Sequence, residues 1–461
     1  MTISDAPDQP LAFPVDFRWG VATAAHQIEG GVHEGGRGTS IWDTFASDGL
    51  TLNGDNGDIA CDHYNRWASD LDLMASLGIR DYRLSLSWAR LQPTGKGELN
   101  PEGVAFYTDL LTGLRERGIR PLVTLYHWDL PQPLEDAGGW PSRETAHRFE
   151  DYAARTVRTL GHLADDWITI NEPWCIAFLG YGRGAHAPGK KDPSLAVAAA
   201  HHVNLAHGLA VRAIRSIDPS LRVGNSTIIT DIVPLGPRPE DAAAARRLDA
   251  MSNRIFLDPV YLGGYSDAVR ELFDPLGLDG LIEDGDLETI SQPLDFVGVN
   301  HYQRVVAWAD EDGSWLRVGE RPAEPATTSF GWSVVPDSLR SVLLRVSREF
   351  STLPIYITEN GASFHDYVDP NGEVKDPDRI AYLRGYLAAA ARAIGEGVNL
   401  QGYYAWSFLD NFEWAEGYSK RFGLVYVDYR TQERIPKASA HWYAGQIALH
   451  RNHAREGAVT A

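Results

Sequence analysis

The sequence contains little cysteine and little positive charge. Only two of the 461 residues are cysteines, Cys61 and Cys175. They lie far apart without metal-ligand spacing, which indicates neither a disulfide framework nor a zinc site. Lys and Arg number 42 against 62 Asp and Glu, a formal net charge of −20. Because nucleic acids and anionic membrane surfaces require a basic patch, this balance argues against both as partners.

Long apolar runs are also missing. No stretch approaches the roughly 20 apolar residues that a membrane helix needs. Residues 1–14 carry acids and prolines where a signal peptide would need a basic start and an apolar run. With free thiols, these features predict a soluble cytoplasmic protein without a membrane partner. The acidic composition does not distinguish a monomer from a homo-oligomer.

Aromatic residues, by contrast, are plentiful, with 14 Trp, 19 Tyr and 15 Phe. Aromatic faces suit the apolar faces of sugar rings, although core packing explains most aromatics in any chain. The composition therefore only hints at a carbohydrate ligand.

Two stretches share the pattern of a buried strand that ends in a glutamate. In 354–361, four β-favouring residues lead into Glu359, and Asn360-Gly361 supplies a turn. In 167–173 a similar run leads to Glu172, which precedes a proline. A residue before proline favours extended geometry, so we expect Glu172 on the last rung of its strand, with Pro173 opening a helix. Parallel strands would bring both carboxylates to one rim of a sheet.

The fold class follows from repetition of this strand–helix unit. Eight strands are predicted, beginning near residues 17, 79, 119, 166, 222, 295, 354 and 402. Without a linker to divide them, they predict an α/β protein built as a single (β/α)8 TIM barrel with long βα loops. We expect one catalytic domain, 1–461, with flexible tails at about 1–12 and 452–461. A doubly wound open sheet is the alternative, but residues 20–23 lack the G-x-G-x-x-G fingerprint.

Three local predictions accompany this topology. The apolar segment 41–45 in the long Gly-rich loop after the first strand is expected to form a folded lid or rim. Asp378 is expected to cap a helix that runs to Ile394, and the final helix is expected to end near His450.

The predicted strand tips present glutamates, neutral hydrogen-bonding groups and aromatic rings. Such a set describes a pocket for a neutral polyhydroxylated ring. Phosphate chemistry would need a Gly-rich cradle or an Arg cluster. Metal hydrolysis would need clustered His and Asp, whereas His201-His202 lies within a predicted helix with only His207 nearby.

Two carboxyl groups at a barrel mouth are what glycoside hydrolysis requires. One acid protonates the leaving oxygen, and one carboxylate attacks the anomeric carbon or activates water. A separation of about 5 to 5.5 Å gives retention, and about 6.5 to 9.5 Å gives inversion.

Motifs along nearly the whole chain, about 17–443, resemble glycoside hydrolase family 1, nearest to bacterial β-glucosidases. They are Phe17-Arg18-Trp19-Gly20, Gln27-Ile28-Glu29-Gly30, Tyr82-Arg83, Ser87-Trp88, Thr169-Ile170-Asn171-Glu172-Pro173, Ile357-Thr358-Glu359-Asn360-Gly361 and Asp410-Asn411-Phe412-Glu413-Trp414. A single one of these motifs is weak evidence, but their joint order is specific.

The resemblance implies a retaining double displacement with Glu172 as acid/base and Glu359 as nucleophile. Arg83 and Tyr302 would support the nucleophile by lowering the pKa of Glu359 through charge and hydrogen bonding. The charge of Glu359 would in turn raise the pKa of Glu172 until the glycosyl-enzyme neutralises it.

The same resemblance implies a set of substrate-binding residues: Gln27, His127, Trp128, Asn171, Asn300, Tyr302, Trp332, Trp406, Glu413 and Trp414. Asn171 would bond the sugar 2-hydroxyl, Trp406 would stack under the ring, and Trp332 would form an aromatic platform for the leaving group. Cys175, His186 and Phe422 are expected at the entrance.

The expected substrates are small neutral β-glycosides. A fixed negative charge on Glu413 would repel a 6-phosphate. The predicted function is a retaining β-glucosidase that acts on terminal non-reducing β-D-glucosyl residues of cellobiose-like oligosaccharides and aryl or alkyl glucosides, as in cellulose and polysaccharide degradation. The alternatives are a broad β-glycosidase with β-galactosidase or β-fucosidase activity, or a non-catalytic sugar-binding barrel. The resemblance implies no cofactor and no metal.

Overall fold

A computed structural model of the chain describes residues 11–312, 315–324 and 327–460, with 454–460 described by their backbone alone. Most of the predicted tail at 1–12 and the end of the predicted tail at 452–461 lie outside the fully described residues. The final helix, Ala438–Thr460, continues well past the predicted end at His450.

Eight parallel strands form a closed barrel, as predicted from the sequence. Each strand pairs with its neighbours in chain order, and β8 closes on β1 with Ala22 opposite Trp406. The bounds are β1 Arg18–Ala22, β2 Asp81–Ser85, β3 Arg120–Tyr126, β4 Asp166–Asn171, β5 Arg222–Ile228, β6 Phe296–Asn300, β7 Ile355–Asn360 and β8 Leu400–Trp406. Helices cover the outside of the barrel, which explains why β2, β4, β6 and β7 are buried along their whole length.

The longer helices alternate with the barrel strands. They are His63–Ser76, Pro101–Glu116, Arg143–Leu160, Pro193–Ile217, Pro336–Arg345, Pro377–Gly395 and Ala438–Thr460. Pro at the first helical position starts several of them, and Asn100 and Asp192 accept backbone N–H groups as N-caps.

Shorter helices lie in the loops. They include Ala25–Ile28, Ile41–Ser47, Trp88–Leu91, Gln132–Asp136, Pro239–Asp249, Ile255–Leu257, Asp267–Phe273, Leu278–Leu281 and Asp286–Ile290, with π-helical turns at Cys175–Gly182, Ala250–Arg254, Asp258–Leu262 and Val346–Phe350. Ile41–Ser47 contains the segment that was predicted to be a folded rim. A capping box between Ser40 and Asp43 fixes its start.

Two features of the loops differ from the sequence prediction. Residues in the βα loops pair into a three-stranded sheet, Asp231–Pro234, Arg304–Ala309 and Val318–Pro322, and into a hairpin of Val425–Asp428 with Glu433–Pro436. The prediction of Asp378 as a helix cap is wrong because Pro377 already occupies the first helical position and Asp376 precedes it.

Within the described part of the chain, every helix is too short or too polar to traverse a lipid bilayer.

Candidate active site

The carboxyl ends of the barrel strands surround one cavity of about 570 Å³. Its wall includes many of the residues that were predicted at the strand tips, namely His127, Trp128, Glu172, Tyr302, Trp332, Glu359, Trp406, Glu413 and Trp414. Four other predicted residues are almost fully buried, and each bonds to one of these groups: Gln27, Arg83, Asn171 and Asn300. The closed barrel therefore brings together every site residue that was predicted from the sequence.

Glu172 lies just beyond β4 rather than on its last rung. Its φ is +45°, in the left-handed region, so the prediction of extended geometry is wrong. The backbone turns here because the pairing register of β4 with β5 shifts between Ile168 and Asn171, and Glu172 N donates to Ser226 O at 2.8 Å. Helical structure then begins at Pro173, as expected. The strained backbone aims the Glu172 side chain into the cavity.

Glu359, in contrast, lies within β7 and is paired on both carboxylate oxygens. Arg83 of β2 forms a short ion pair with Oε1. The hydroxyl of Tyr302 donates to Oε2 at 2.5 Å. All three side chains are buried. A carboxylate with a guanidinium and a phenol as donors is held in one orientation, as a nucleophile requires.

Asn300 lies next to both glutamates. It is opposite Glu359 in the register of β6 with β7, and its Nδ2 donates to Glu172 Oε1 at 2.7 Å and to Asn171 Oδ1 at 3.0 Å. Its amide therefore holds one oxygen of the Glu172 carboxyl.

Two hydroxyl groups that the sequence reasoning missed fix the orientation of this amide. Ser226 Oγ donates to Asn300 Oδ1 at 2.9 Å, and Thr358 Oγ1 donates to the same oxygen at 2.7 Å. They leave Nδ2 to donate to Glu172 and to Asn171. Both hydroxyls lie on interior positions of predicted strands, where a buried polar residue is a detectable signal.

The pKa values of the two glutamates reflect their unequal contacts. Burial, followed by the charge of Glu359, raises the pKa of Glu172 to about 8. Burial also raises the pKa of Glu359, while Arg83 and Tyr302 oppose that rise. Arg83 and Tyr302 therefore lower the pKa of Glu359 as predicted, but desolvation outweighs both contacts and the net direction is upward. Of the two glutamates, Glu359 is the one that loses its proton at the lower pH, because it is paired with the guanidinium of Arg83.

Gln27 and Glu413 form a polar pair that links the loops after β1 and β8. Gln27 Nε2 donates to Phe412 O at 3.0 Å and to Glu413 Oε2 at 3.3 Å, and Gln27 Oε1 is buried without a partner among the described residues. Burial raises the pKa of Glu413 to about 8. Burial therefore opposes the fixed negative charge that was predicted for Glu413.

His127 and Asn171 extend this polar wall. Asn171 Nδ2 donates to His127 Nε2 at 3.0 Å, while Asn171 Oδ1 accepts from Arg83 at 2.5 Å. Burial and the nearby Arg83 charge lower the pKa of His127. The neutral imidazole therefore carries its proton on Nδ1, where it is a donor without a partner among the described residues.

Three tryptophans form the apolar part of the wall. Trp406 is stacked on the His127 ring, with centroids 5.9 Å apart. Trp128 and Trp414 pack together at 4.7 Å, and both have positive φ values, 77° and 52°. Trp42, which the sequence reasoning placed only in a rim, supports Trp414 from behind at 4.6 Å. Flat apolar faces beside hydrogen-bonding groups match the two-sided character of a sugar ring.

The mouth of the cavity is aromatic, as predicted. Trp332 stacks on Phe330 with centroids 4.3 Å apart and lies 6.0 Å from Phe422. Cys175 and His186 also line the wall. Trp174, Arg183 and Glu320 line the same cavity and were not identified from the sequence. Trp174 and Arg183 flank the π-helical turn Cys175–Gly182, and Glu320 lies in the loop strand Val318–Pro322, so none of them is at the tip of a predicted barrel strand.

His201 and His202 serve the packing of the 193–217 helix. His201 bonds to Tyr265 and Asp286, and His202 bonds to the carbonyl of Trp140. Within the described ranges, no three His, Cys, Asp or Glu side chains are placed to hold a metal ion.

Comparison with known proteins agrees with this architecture. The family model "Glycosyl hydrolase family 1" matches residues 9–452. Beta-glucosidase A of Thermotoga maritima is 43% identical over 94% of this chain and 97% of its own length. A bifunctional beta-D-glucosidase/beta-D-fucosidase of Bifidobacterium breve is 44% identical over 95% of this chain and 99% of its own.

A solved structure of a relative shows the same barrel. The Thermotoga maritima beta-glucosidase in complex with deoxynojirimycin superposes with a TM-score of 0.93 at 42% identity, and the match covers 95% of this chain and 99% of that one.

Proposed function

This chain belongs to glycosyl hydrolase family 1, and from that premise we propose that it is a retaining β-glucosidase. Its substrates are terminal non-reducing β-D-glucosyl residues of cellobiose-like oligosaccharides and of aryl or alkyl β-glucosides. Glu172 is the acid/base and Glu359 is the nucleophile. The single observation that carries the proposal is the unequal environment of two buried carboxyls in one cavity, of which only Glu359 is paired with a guanidinium and a phenol.

The contacts of Glu359 and its effect on Glu172 support retention of configuration. Both carboxylate oxygens of Glu359 have donors, Arg83 and Tyr302, which suits a nucleophile that bonds to the anomeric carbon. The charge of Glu359 raises the pKa of Glu172, so the two carboxyls are close enough to interact electrostatically. Retaining enzymes have carboxyl groups about 5 to 5.5 Å apart, whereas inverting enzymes leave room for a water between them.

In the first step Glu359 attacks the anomeric carbon. A bond forms from its carboxylate oxygen to that carbon, the bond to the leaving oxygen breaks, and the proton of Glu172 moves to the leaving oxygen. The pKa of about 8 keeps Glu172 protonated at neutral pH. Arg83 and Tyr302 keep Glu359 ionised and oriented until it attacks.

In the second step water replaces Glu359. Once Glu359 is esterified, its negative charge no longer raises the pKa of Glu172, so Glu172 becomes a carboxylate. It takes a proton from water, the water oxygen bonds to the anomeric carbon, and the bond to Glu359 breaks. The second inversion restores the β configuration.

The polar wall supports a neutral hexose as the bound sugar. Gln27 Oε1 and His127 Nδ1 are buried and unpartnered among the described residues, and each can bond a ring hydroxyl. The aromatic faces of Trp406 and Trp414 border the same space. A phosphate dianion at the sugar 6-position would lose its hydration beside the buried carboxyl of Glu413, which supplies no positive charge, and this is unfavourable.

A broad β-glycosidase is the second candidate. The observation in its favour is the Bifidobacterium breve relative, which is named for both glucosidase and fucosidase activity. Gln27 and Glu413 offer both donor and acceptor groups, which can hold either epimer at carbon 4.

The deciding experiment compares wild type with Glu359→Gln on four 4-nitrophenyl substrates: the β-glucoside, β-galactoside, β-fucoside and 6-phospho-β-glucoside. We expect the neutral glycosides to be hydrolysed and the phosphorylated one to be refused. We expect Glu359→Gln to lower kcat by about 10⁴-fold or more. Full activity of E359Q would refute Glu359 as the nucleophile, and an inactive wild type would leave the sugar-binding barrel as the better description.

We further propose that 1–461 acts as one catalytic domain, that the protein works in the cytoplasm, and that it contributes to the breakdown of cellulose-derived oligosaccharides. The continuous family match over 9–452 supports the single domain. The two free cysteines suit a reducing compartment. The role in cellulose breakdown rests on the proposed substrate class.

A further inference from the structure

The acid/base Glu172 has a second side-chain hydrogen-bond partner besides Asn300. The thiol of Cys175 lies 3.2 Å from Glu172 Oε2, in donor position, while Asn300 Nδ2 occupies Oε1 at 2.7 Å. Cys175 is 5% exposed and lies one turn after Glu172, at the start of the π-helical turn Cys175–Gly182. Asn300 and Cys175 thus bond to different oxygens of the Glu172 carboxyl, Asn300 to Oε1 and the thiol to Oε2.

Several charged and titratable groups face Glu172 from the surrounding strands and loops. They are Glu359 of β7, Arg83 of β2, Tyr302 after β6 and Glu413 after β8. Of these, Arg83 and Tyr302 already bond to Glu359. Cys175 is different because it touches Glu172 directly and is itself neutral, since burial raises the pKa of its thiol well above the usual value.

We infer that Cys175 is a positioning residue for Glu172, and that its thiol sets the pH range in which Glu172 can transfer a proton. The inference rests on the proposed function, because it assigns Glu172 the acid/base role.

The chemistry of a thiol suits a group that changes protonation twice per turnover. When Glu172 is a carboxylate, S–H donates to Oε2. When Glu172 is protonated, Oε1 still accepts a hydrogen bond from Asn300 Nδ2, so the acid proton is carried on Oε2. The thiol hydrogen can then rotate away, and the sulfur becomes a weak acceptor for that proton. A weak acceptor satisfies the buried acid without retaining the proton that the leaving oxygen needs.

The test measures the basic limb of the pH profile of kcat/KM, which reports the free enzyme. Removing a donor to the carboxylate destabilises the charged form, so Cys175→Ala should move the basic limb upward by about 0.5 pH unit with an alkyl β-glucoside. With 2,4-dinitrophenyl β-glucoside, which needs little acid assistance, the shift should be absent. Cys175→Ser keeps a donor and should retain most of the wild-type profile.

Two further variants separate this role from packing. Cys175→Val removes the donor but preserves side-chain volume, so it should reproduce the alkaline shift if the alanine variant fails to fold. Cys61→Ser alters the other buried cysteine, whose Sγ bonds to the carbonyl of Asp410 at 3.0 Å. Its basic limb should coincide with that of wild type.

Two results would overturn the inference. One is an active wild type whose basic limb is unchanged in both the alanine and the valine variant. The other is an equal shift with both substrates, which would indicate a general structural effect. If wild type hydrolyses neither glucoside, the proposed function itself fails, and that outcome is visible before any Cys175 variant is measured.

Discussion

The two active-site glutamates differ in the donors that surround them, and Tyr302 is the donor whose removal is easiest to interpret. Its hydroxyl bonds to Glu359 Oε2 at 2.5 Å, and its own pKa is raised well above the ordinary value, so it remains a phenol. The nucleophile acts only when it is ionised. The phenol therefore favours the reactive form of Glu359.

We expect Tyr302→Phe to raise the pKa of Glu359 and to move the acid limb of kcat/KM to higher pH. At pH 5 the loss should be about tenfold or more, because a hydrogen bond to a charged group contributes about 1.5 to 3 kcal/mol. The loss should shrink as the pH rises. The measurement is a pH profile with 4-nitrophenyl β-glucoside.

Tyr367→Phe provides the matched control, because Tyr367 is 72% exposed. Its acid limb should match that of wild type. A Tyr302→Phe enzyme that loses the same factor at every pH would indicate that the phenol only shapes the cavity.

Residue identity at the site was predictable from the sequence, whereas backbone detail was not. Glu172 was located correctly by its position after a β-rich run, but its φ of +45° depends on a register shift against β5, which is a non-local contact. The pKa of Glu359 was predicted from its partners alone. Its upward direction comes from burial, which only the closed barrel creates.

At the scale of elements, the segment 407–424 after β8 carries Glu413 and Trp414 and is held by a buried charge cluster. Lys437 Nζ lies 2.7 Å from Asp410 and 2.5 Å from Asp366. Arg379 pairs with Asp366 at 2.7 Å. These four side chains are almost completely buried, so the segment is anchored to the start of the last helix.

We expect Lys437→Met to destabilise the protein strongly and to weaken sugar binding. Removing one partner of a buried ion pair leaves uncompensated charge, which costs about 3 to 5 kcal/mol. Thermal unfolding should show a clear fall in Tm. Because Glu413 is on the anchored segment, KM for the β-glucoside should rise more than kcat falls.

The control for this change is Arg340→Met, which breaks an ion pair with Glu396 at the surface. Exposed pairs contribute little, so its Tm should stay close to that of wild type. A Lys437→Met protein with unchanged Tm and KM would show that the cluster neither stabilises the fold nor positions the segment.

Elements with strong local signals were predicted well, and elements formed by distant pairing were not. The eight barrel strands and their helices follow from apolar runs and from Pro and Gly at helix ends. The short strand Asp231–Pro234 exists only because Arg304–Ala309 pairs with it. Four residues contain too little periodicity to reveal such a partner.

For the whole molecule, buried titratable groups make stability depend on pH in two opposite ways. Burial lowers the pKa of His26, His186 and His207 to about 4. The unfolded chain gains these protons below about pH 6.5 while the folded protein does not, so stability is lost as the pH falls from about 6.5 to 4. The raised pKa of about 8 for Glu172 has the opposite effect, with stability lost as the pH rises from about 4 to 8. Above about pH 6.5 the three histidines no longer change the stability, whereas the buried carboxyls with a raised pKa still do. The free energy of unfolding should therefore decline from pH 6.5 to pH 8.

Asp129 allows this decline to be tested away from the cavity. It is 1% exposed, and neither carboxyl oxygen has a partner with hydrogen-bond geometry among the described residues. Burial raises its pKa to about 8, and the nearby Ser87 offsets only part of that rise. The folded protein therefore keeps a proton that the unfolded chain releases above about pH 4.

Asp129→Asn removes this ionisation, so the stability of the variant relative to wild type should grow with pH, by up to about 1.4 kcal/mol per pH unit between pH 5 and 8. Denaturant unfolding of both proteins across that range measures the difference, with Asp58→Asn, an exposed position, as the matched control. Parallel curves for wild type and D129N would mean that the folded protein ionises Asp129 as readily as the unfolded chain, and the decline above pH 6.5 would then have to come from the carboxyls of the cavity alone.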